Sequence, residues 1–69
     1  MSNRAKQEQE FLRELIHQAV LDEVYSPADV LNYIKDNGWE YTEPTKMTII
    51  KILKENGIEY ISGYWEKVK

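Results

Sequence analysis

Thr42–Gly57 reads TEPTKMTIIKILKENG, and the spacing of its side chains decides how the rest of the chain is read. Ile49, Ile50, Ile52 and Leu53 fall within one broad arc at 3.6 residues per turn, while Met47, Thr48, Lys51, Lys54 and Glu55 occupy the opposite arc. The spacing predicts a helix over about 43–56 with an aliphatic back and a front of lysines and hydroxyls. Such a front suits a polyanion; it also describes an ordinary solvated helix. Two starts compete. Thr42 as N-cap leaves Pro44 in the first turn, where its missing N–H costs nothing. Thr45 as N-cap leaves Pro44 outside, and this later start is favoured slightly because proline disfavours the α conformation at Glu43. Asn56-Gly57 supplies the C-terminal stop.

Two further helices precede this one. From about Gln7 to Asp22, the residues Phe11, Leu12, Leu15, Ile16, Ala19 and Val20 form one wide apolar stripe. Residues 1–7 read as a flexible polar arm, in which Arg4 and Lys6 could form a small basic arm reaching a phosphate, and residues 8–69 as a single domain. The second helix, about 27–36, is announced by Ser26-Pro27-Ala28-Asp29: an N-cap hydroxyl, a proline at the first helical position and a carboxylate three residues after the cap. Tyr25 and Val30 occupy the staple positions around that cap. Leu31 and Ile34 face inward, and Asn37-Gly38 ends the helix. Trp39-Glu40-Tyr41 alternates apolar and polar residues, which predicts a brief extended segment.

Downstream, Ile58–Ile61, Ser62-Gly63 and Tyr64–Val68 predict a β-hairpin. A two-residue Ser-Gly loop suits the turn chemistry but sets Glu59 opposite Glu66. A three-residue loop instead pairs Ile58 with Val68, Glu59 with Lys67 and Ile61 with Trp65. Both registers stay open on sequence alone.

With 69 residues and no cysteine, neither a disulfide framework nor a thiolate zinc site is available, so apolar packing or self-association must stabilise the domain. No apolar run approaches the roughly 18 residues of a membrane span, and the N-terminus has no hydrophobic signal region. A cytoplasmic protein without membrane association is expected. The net charge of −3 argues against bulk electrostatic attachment to DNA, but it is unevenly spread. Residues 1–45 carry four basic and nine acidic groups, whereas residues 46–69 carry five lysines and three glutamates.

Helix, capped helix, Gly-aromatic turn, Thr-led helix and hairpin form the order of a small winged helix-turn-helix, an α+β and mainly α fold. The succession resembles the winged DNA-binding domain of bacterial arginine repressors over roughly residues 9–68. Ser26 stands where that family has a capping Thr, and Gly38-Trp39 where it has a Gly-aromatic pair. The stretch from Thr45 to Gly57 resembles the family's TQATVSRDIKELG, matching at Thr45, Thr48, Ile49, Lys51, Leu53, Lys54-Glu55 and Gly57. Ile50 replaces a serine and Lys51 an arginine at positions that family turns towards DNA, and lysine lacks the planar fork that reads guanine. The segment before Thr45 is about three residues longer than the family's, and the arginine-binding, hexamer-forming domain is absent from this stretch, so no amino-acid effector is implied.

The resemblance implies a double-stranded DNA-binding protein, a transcriptional regulator that sets its third helix in the major groove and its hairpin on the backbone. The expected contact residues are Thr45, Lys46, Met47, Thr48, Lys51 and Lys54 on the helix, with Tyr64 and Lys67, and also Lys69, at the hairpin. The alternative is a non-catalytic protein-interaction module on the same scaffold, for example an acidic inhibitor or adaptor of a nucleic-acid-binding partner. Homodimerisation through the first helix or the aromatic hairpin is compatible with either. No catalytic constellation or cofactor motif is found: the three glycines are isolated turn residues, and His17, the single histidine, has no metal-ligand spacing around it.

Overall fold

The computed structural model describes the backbone of residues 3–68 and the side chains of residues 5–68. In chain order it contains α1 (Asn3–Leu21), α2 (Pro27–Asp36), α3 (Lys46–Glu55), β1 (Ile58–Ile61) and β2 (Tyr64–Lys67). Three helices followed by an antiparallel two-stranded hairpin make an α+β, mainly α fold, in an order compatible with a winged-helix layout.

Each helix contributes most of its predicted apolar stripe to one core. Leu12, Leu15, Ile16, Ala19 and Val20 come from α1, Val30 and Ile34 from α2, and Ile49, Ile52 and Leu53 from α3; Trp39 and Ile58 complete the cluster. Ile50, expected on the aliphatic face of α3, is half-buried outside that core, in the cleft with Lys54 and Tyr60, because it lies about 100° round the helix from the middle of the buried residues. Phe11, Leu31 and Trp65 are half-buried at its edge. No polar or charged residue is buried among the described residues, so apolar burial is the main source of the core's stability.

Helix α1 starts at Asn3 rather than Gln7, and residues 3–7 are helical where a flexible arm was expected. The cause is local: Arg4 through Gln9 is an unbroken run of strong helix formers with neither glycine nor proline. Residues 1 and 2 and the side chain of Arg4 lie outside the described residues. The bounds of α2 agree with the sequence reading, but its expected hydroxyl cap is absent. Ser26 has extended backbone at the N-cap position, yet its side chain makes no capping hydrogen bond. The entrance is held by apolar contacts: Pro27 and Val30 are buried, and Tyr25 packs against the core.

Helix α3 spans Lys46–Glu55, shorter than the 43–56 expected, because Thr45 and not Thr42 is its N-cap. The Thr45 hydroxyl accepts the Thr48 backbone N–H at 3.2 Å. Pro44 therefore stays outside the helix. Thr45→Ala is expected to cost about 1 kcal/mol, and Ser26→Ala less than about 0.5 kcal/mol because no cap bond is lost. Urea midpoints of the two variants check this; equal losses would show that Ser26 does cap α2.

The connection from Asn37 to Thr45 contains no strand, contrary to the extended segment expected at Trp39–Tyr41. The only sheet among the described residues pairs β1 with β2, so this segment has no strand to pair with. It is anchored by Trp39 instead. The Trp39 backbone N–H donates to the Ile34 carbonyl at 3.0 Å, closing the end of α2, and its indole N–H donates to the Thr42 carbonyl at 3.1 Å. The ring stacks on Phe11 with centroids 5.8 Å apart and meets the edge of Tyr41 at 5.0 Å.

The hairpin adopts the two-residue loop, with Ser62 at φ 52° and Gly63 at φ 93°, the pair of positive values a type I′ turn requires. Its register is Ile58↔Lys67, Glu59↔Glu66, Tyr60↔Trp65 and Ile61↔Tyr64. The opposed glutamates are exposed, and such a pair costs at most about 1 kcal/mol. The three-residue loop would turn Trp65 to the face away from Ile58 and lose its packing on the core, which weighs more. Gly57 joins α3 to the hairpin at φ +80°, where a Cβ would also stand 3.0 Å from the Val68 carbonyl oxygen. That position needs glycine on both counts.

Candidate nucleic-acid interface

With Ile49, Ile52 and Leu53 buried, the opposite face of α3 is left to solvent. Met47, Lys51 and Lys54 recur at i, i+4 and i+7 along the middle of that face, and all three are exposed. Lys46 and Ile50 lie to one side of this stripe, and Thr48 and Glu55 to the other. Met47 is 76% exposed, the most exposed large hydrophobic residue among the described residues. The structure thus sets Met47, Lys51 and Lys54 on one face, with Lys46 turned towards a cleft it shares with Ser26, Pro27 and Trp65, Thr48 turned towards α1, and Thr45 at the N-terminal end.

Two of these groups are partly committed. The Thr45 hydroxyl caps α3 and lies 3.0 Å from the Thr48 hydroxyl, so the two form a local pair. Glu55, the one acid on α3, is clamped by Arg13 of α1: Nε reaches Oε1 at 3.0 Å and Nη2 reaches Oε2 at 3.3 Å. Hydrogen bonding from Arg13 holds the Glu55 carboxyl below the usual carboxylate range, and the charges of Arg13 and Lys51 add to this. The same contact raises the Arg13 guanidinium above its ordinary value. Arg13 was not among the residues singled out from sequence, and its pairing across 42 residues had no local signal. Its effect is to compensate the acid beside the lysine stripe. Beyond Glu55, His17 Nδ1 lies 3.0 Å from Asn56 Oδ1, and the Asn56 amide donates to the Ile52 carbonyl at 2.9 Å.

Shallow clefts flank the stripe. One lies between α3 and α1, where Thr48 and Lys51 face Glu8, Gln9 and Arg13. The other lies between α3 and the hairpin, where Ile50 and Lys54 face Glu59, Tyr60 and Trp65. The surface is therefore basic along its crest, with an acid on each flank.

The two hairpin residues expected to accompany α3 are not brought together. Lys67 opposes Ile58 and shares the face of Tyr60 and Trp65, whereas Tyr64 opposes Ile61 on the other face with Glu59 and Glu66. Tyr64 is 71% exposed and stands at the loop end of the hairpin. Lys69 lies outside the described residues. Among the described residues there is no group of three His, Cys, Asp or Glu side chains placed to hold a metal ion, and no helix long and apolar enough to cross a membrane. The chain matches no protein-family model, no curated protein and no solved structure.

Proposed function

We propose that this chain is a small winged helix-turn-helix protein that binds double-stranded DNA and regulates transcription, with α3 in the major groove and the hairpin against the backbone. The observation that carries the reading is the uncovered stripe Met47–Lys51–Lys54, seated on a helix whose other face is fully buried. A helix of that exposure and width can enter a groove about 12 Å wide without displacing any other element. Its lysines act as phosphate neutralisers or single donors, and α3's N-terminal turn offers backbone amides to a phosphate. The resemblance of Thr45–Gly57 to the arginine-repressor recognition stretch supports the same placement. Ten helical residues cover only part of a site, so paired half-sites bound by two copies fit this reading.

Fluorescence anisotropy with labelled random-sequence duplex tests it. With three or four lysines on phosphates, affinity is expected to fall roughly 40- to 150-fold between about 50 and 200 mM salt. Lys51→Glu/Lys54→Glu is expected to abolish binding while leaving the fold intact, since both side chains are exposed. A folded protein that binds no duplex at low salt would overturn the proposal. The second reading, a protein-interaction module, is favoured by the hairpin: Tyr60 is 60% exposed, and Ile61 and Tyr64 lie open on the other face.

A further inference from the structure

The side chains on the crest of α3 restrict what a major groove could offer them. Bidentate reading of adenine needs Asn or Gln, and bidentate reading of guanine needs Arg or Lys. Helix α3, KMTIIKILKE, contains no Asn, Gln or Arg, which leaves Lys51 and Lys54 as the outward hydrogen-bonding side chains of its crest. Glu55, the one carboxylate of α3 that could take the cytosine amino group, is held by Nε and Nη2 of Arg13. Thr48 has its backbone N–H and its hydroxyl turned to Thr45. The group left pointing outward beside the lysines is the thioether of Met47, 76% exposed in the first turn of the helix.

An unbranched, polarizable side chain in that position suits an apolar base edge, and the major groove presents one such feature, the methyl on C5 of a pyrimidine. Lys46 precedes Met47 in the chain and Lys51 lies one turn further along the same stripe, so phosphate contacts on either side would press Met47 towards the base edges. Resting on the DNA-binding reading above, we infer that Met47 is a specificity-determining residue and that it selects sites carrying a C5-methylated pyrimidine edge. Thymine and 5-methylcytosine both present that edge.

The test is anisotropy at about 50 mM salt, where the electrostatic component is strong, with four duplexes of equal length. Two are A·T-rich, one with thymine and one with uracil replacing it; two are G·C-rich, with cytosine or 5-methylcytosine. Wild-type protein is expected to bind the thymine duplex about fourfold more tightly than the uracil duplex per buried methyl. Met47→Ala is expected to bind both equally, at the wild-type uracil level, with an unchanged thermal midpoint. A matching gain for 5-methylcytosine would show that the methyl itself is read, and a gain for thymine alone would assign the contact to thymine. Equal wild-type affinity for the thymine and uracil duplexes, or a preference that survives in Met47→Ala, would overturn the inference while leaving DNA binding in place. Failure to bind any duplex would overturn the proposed function beneath it.

Discussion

Trp39→Ala is expected to remove about 3–5 kcal/mol of stability, the cost of deleting a large buried aromatic. A chain of this length holds only about 3–10 kcal/mol in total, so the loss is about a third of the stability or more. The residue performs three tasks at once. It fills the core beneath the α2–α3 connection, stacks on Phe11 of α1, and holds the Thr42 carbonyl through its indole N–H. Without it, the Asn37–Thr45 segment loses both its apolar anchor and a part-buried hydrogen bond. Trp39→Phe keeps an aromatic ring and loses the N–H, so a smaller cost of about 1–2 kcal/mol is expected. Urea unfolding followed by circular dichroism measures both. An unchanged midpoint for Trp39→Ala would mean that the connection is not anchored to the core at all.

Leu53→Ala is the second large effect, expected at about 3–5 kcal/mol because the site is fully buried and a cavity is left behind. Leu53 lies in the same cluster as Ile16, Ile34 and Ile58, at the point where all three helices and β1 converge. Leu53→Met conserves volume and is expected to cost less than about 1.5 kcal/mol. Its neighbour gives the contrast: Lys54→Ala is exposed and should stay within about 0.5 kcal/mol of the parent. Comparable losses at positions 53 and 54 would mean that α3 turns a different face to the core, and the lysine stripe would no longer be a surface.

The chain's local signals were easiest to read where one residue type does one job. Pro27 at the start of α2 and Gly57 at the end of α3 mark their boundaries because their backbone preferences act within a turn. The aliphatic arc of α3 was legible at Ile49, Ile52 and Leu53, though not at Ile50, and with it the exposure of Met47, Lys51 and Lys54 on the opposite side. Misreadings arose where a local pattern competed with another local option. The first residues were placed in an arm for their polarity, although their helix propensity prevailed. Ser26 has the right residue type and backbone for a cap, but its hydroxyl makes no such bond.

By itself, then, the sequence determined the order of the three helices and the hairpin, the stop signals between them, and which face of α3 is apolar. These follow from periodicity and backbone chemistry over a few residues. Tertiary structure decided what depends on distant partners. The hairpin register was settled by the packing of Trp65, which outweighs the facing Glu59 and Glu66. The role of Trp39 was settled by Phe11 and by the absence of a neighbouring strand. The charge beside the lysine stripe was settled by Arg13, which reaches Glu55 from another helix. Each is a contact between residues far apart in the chain, and no spacing within a turn or a strand encodes it.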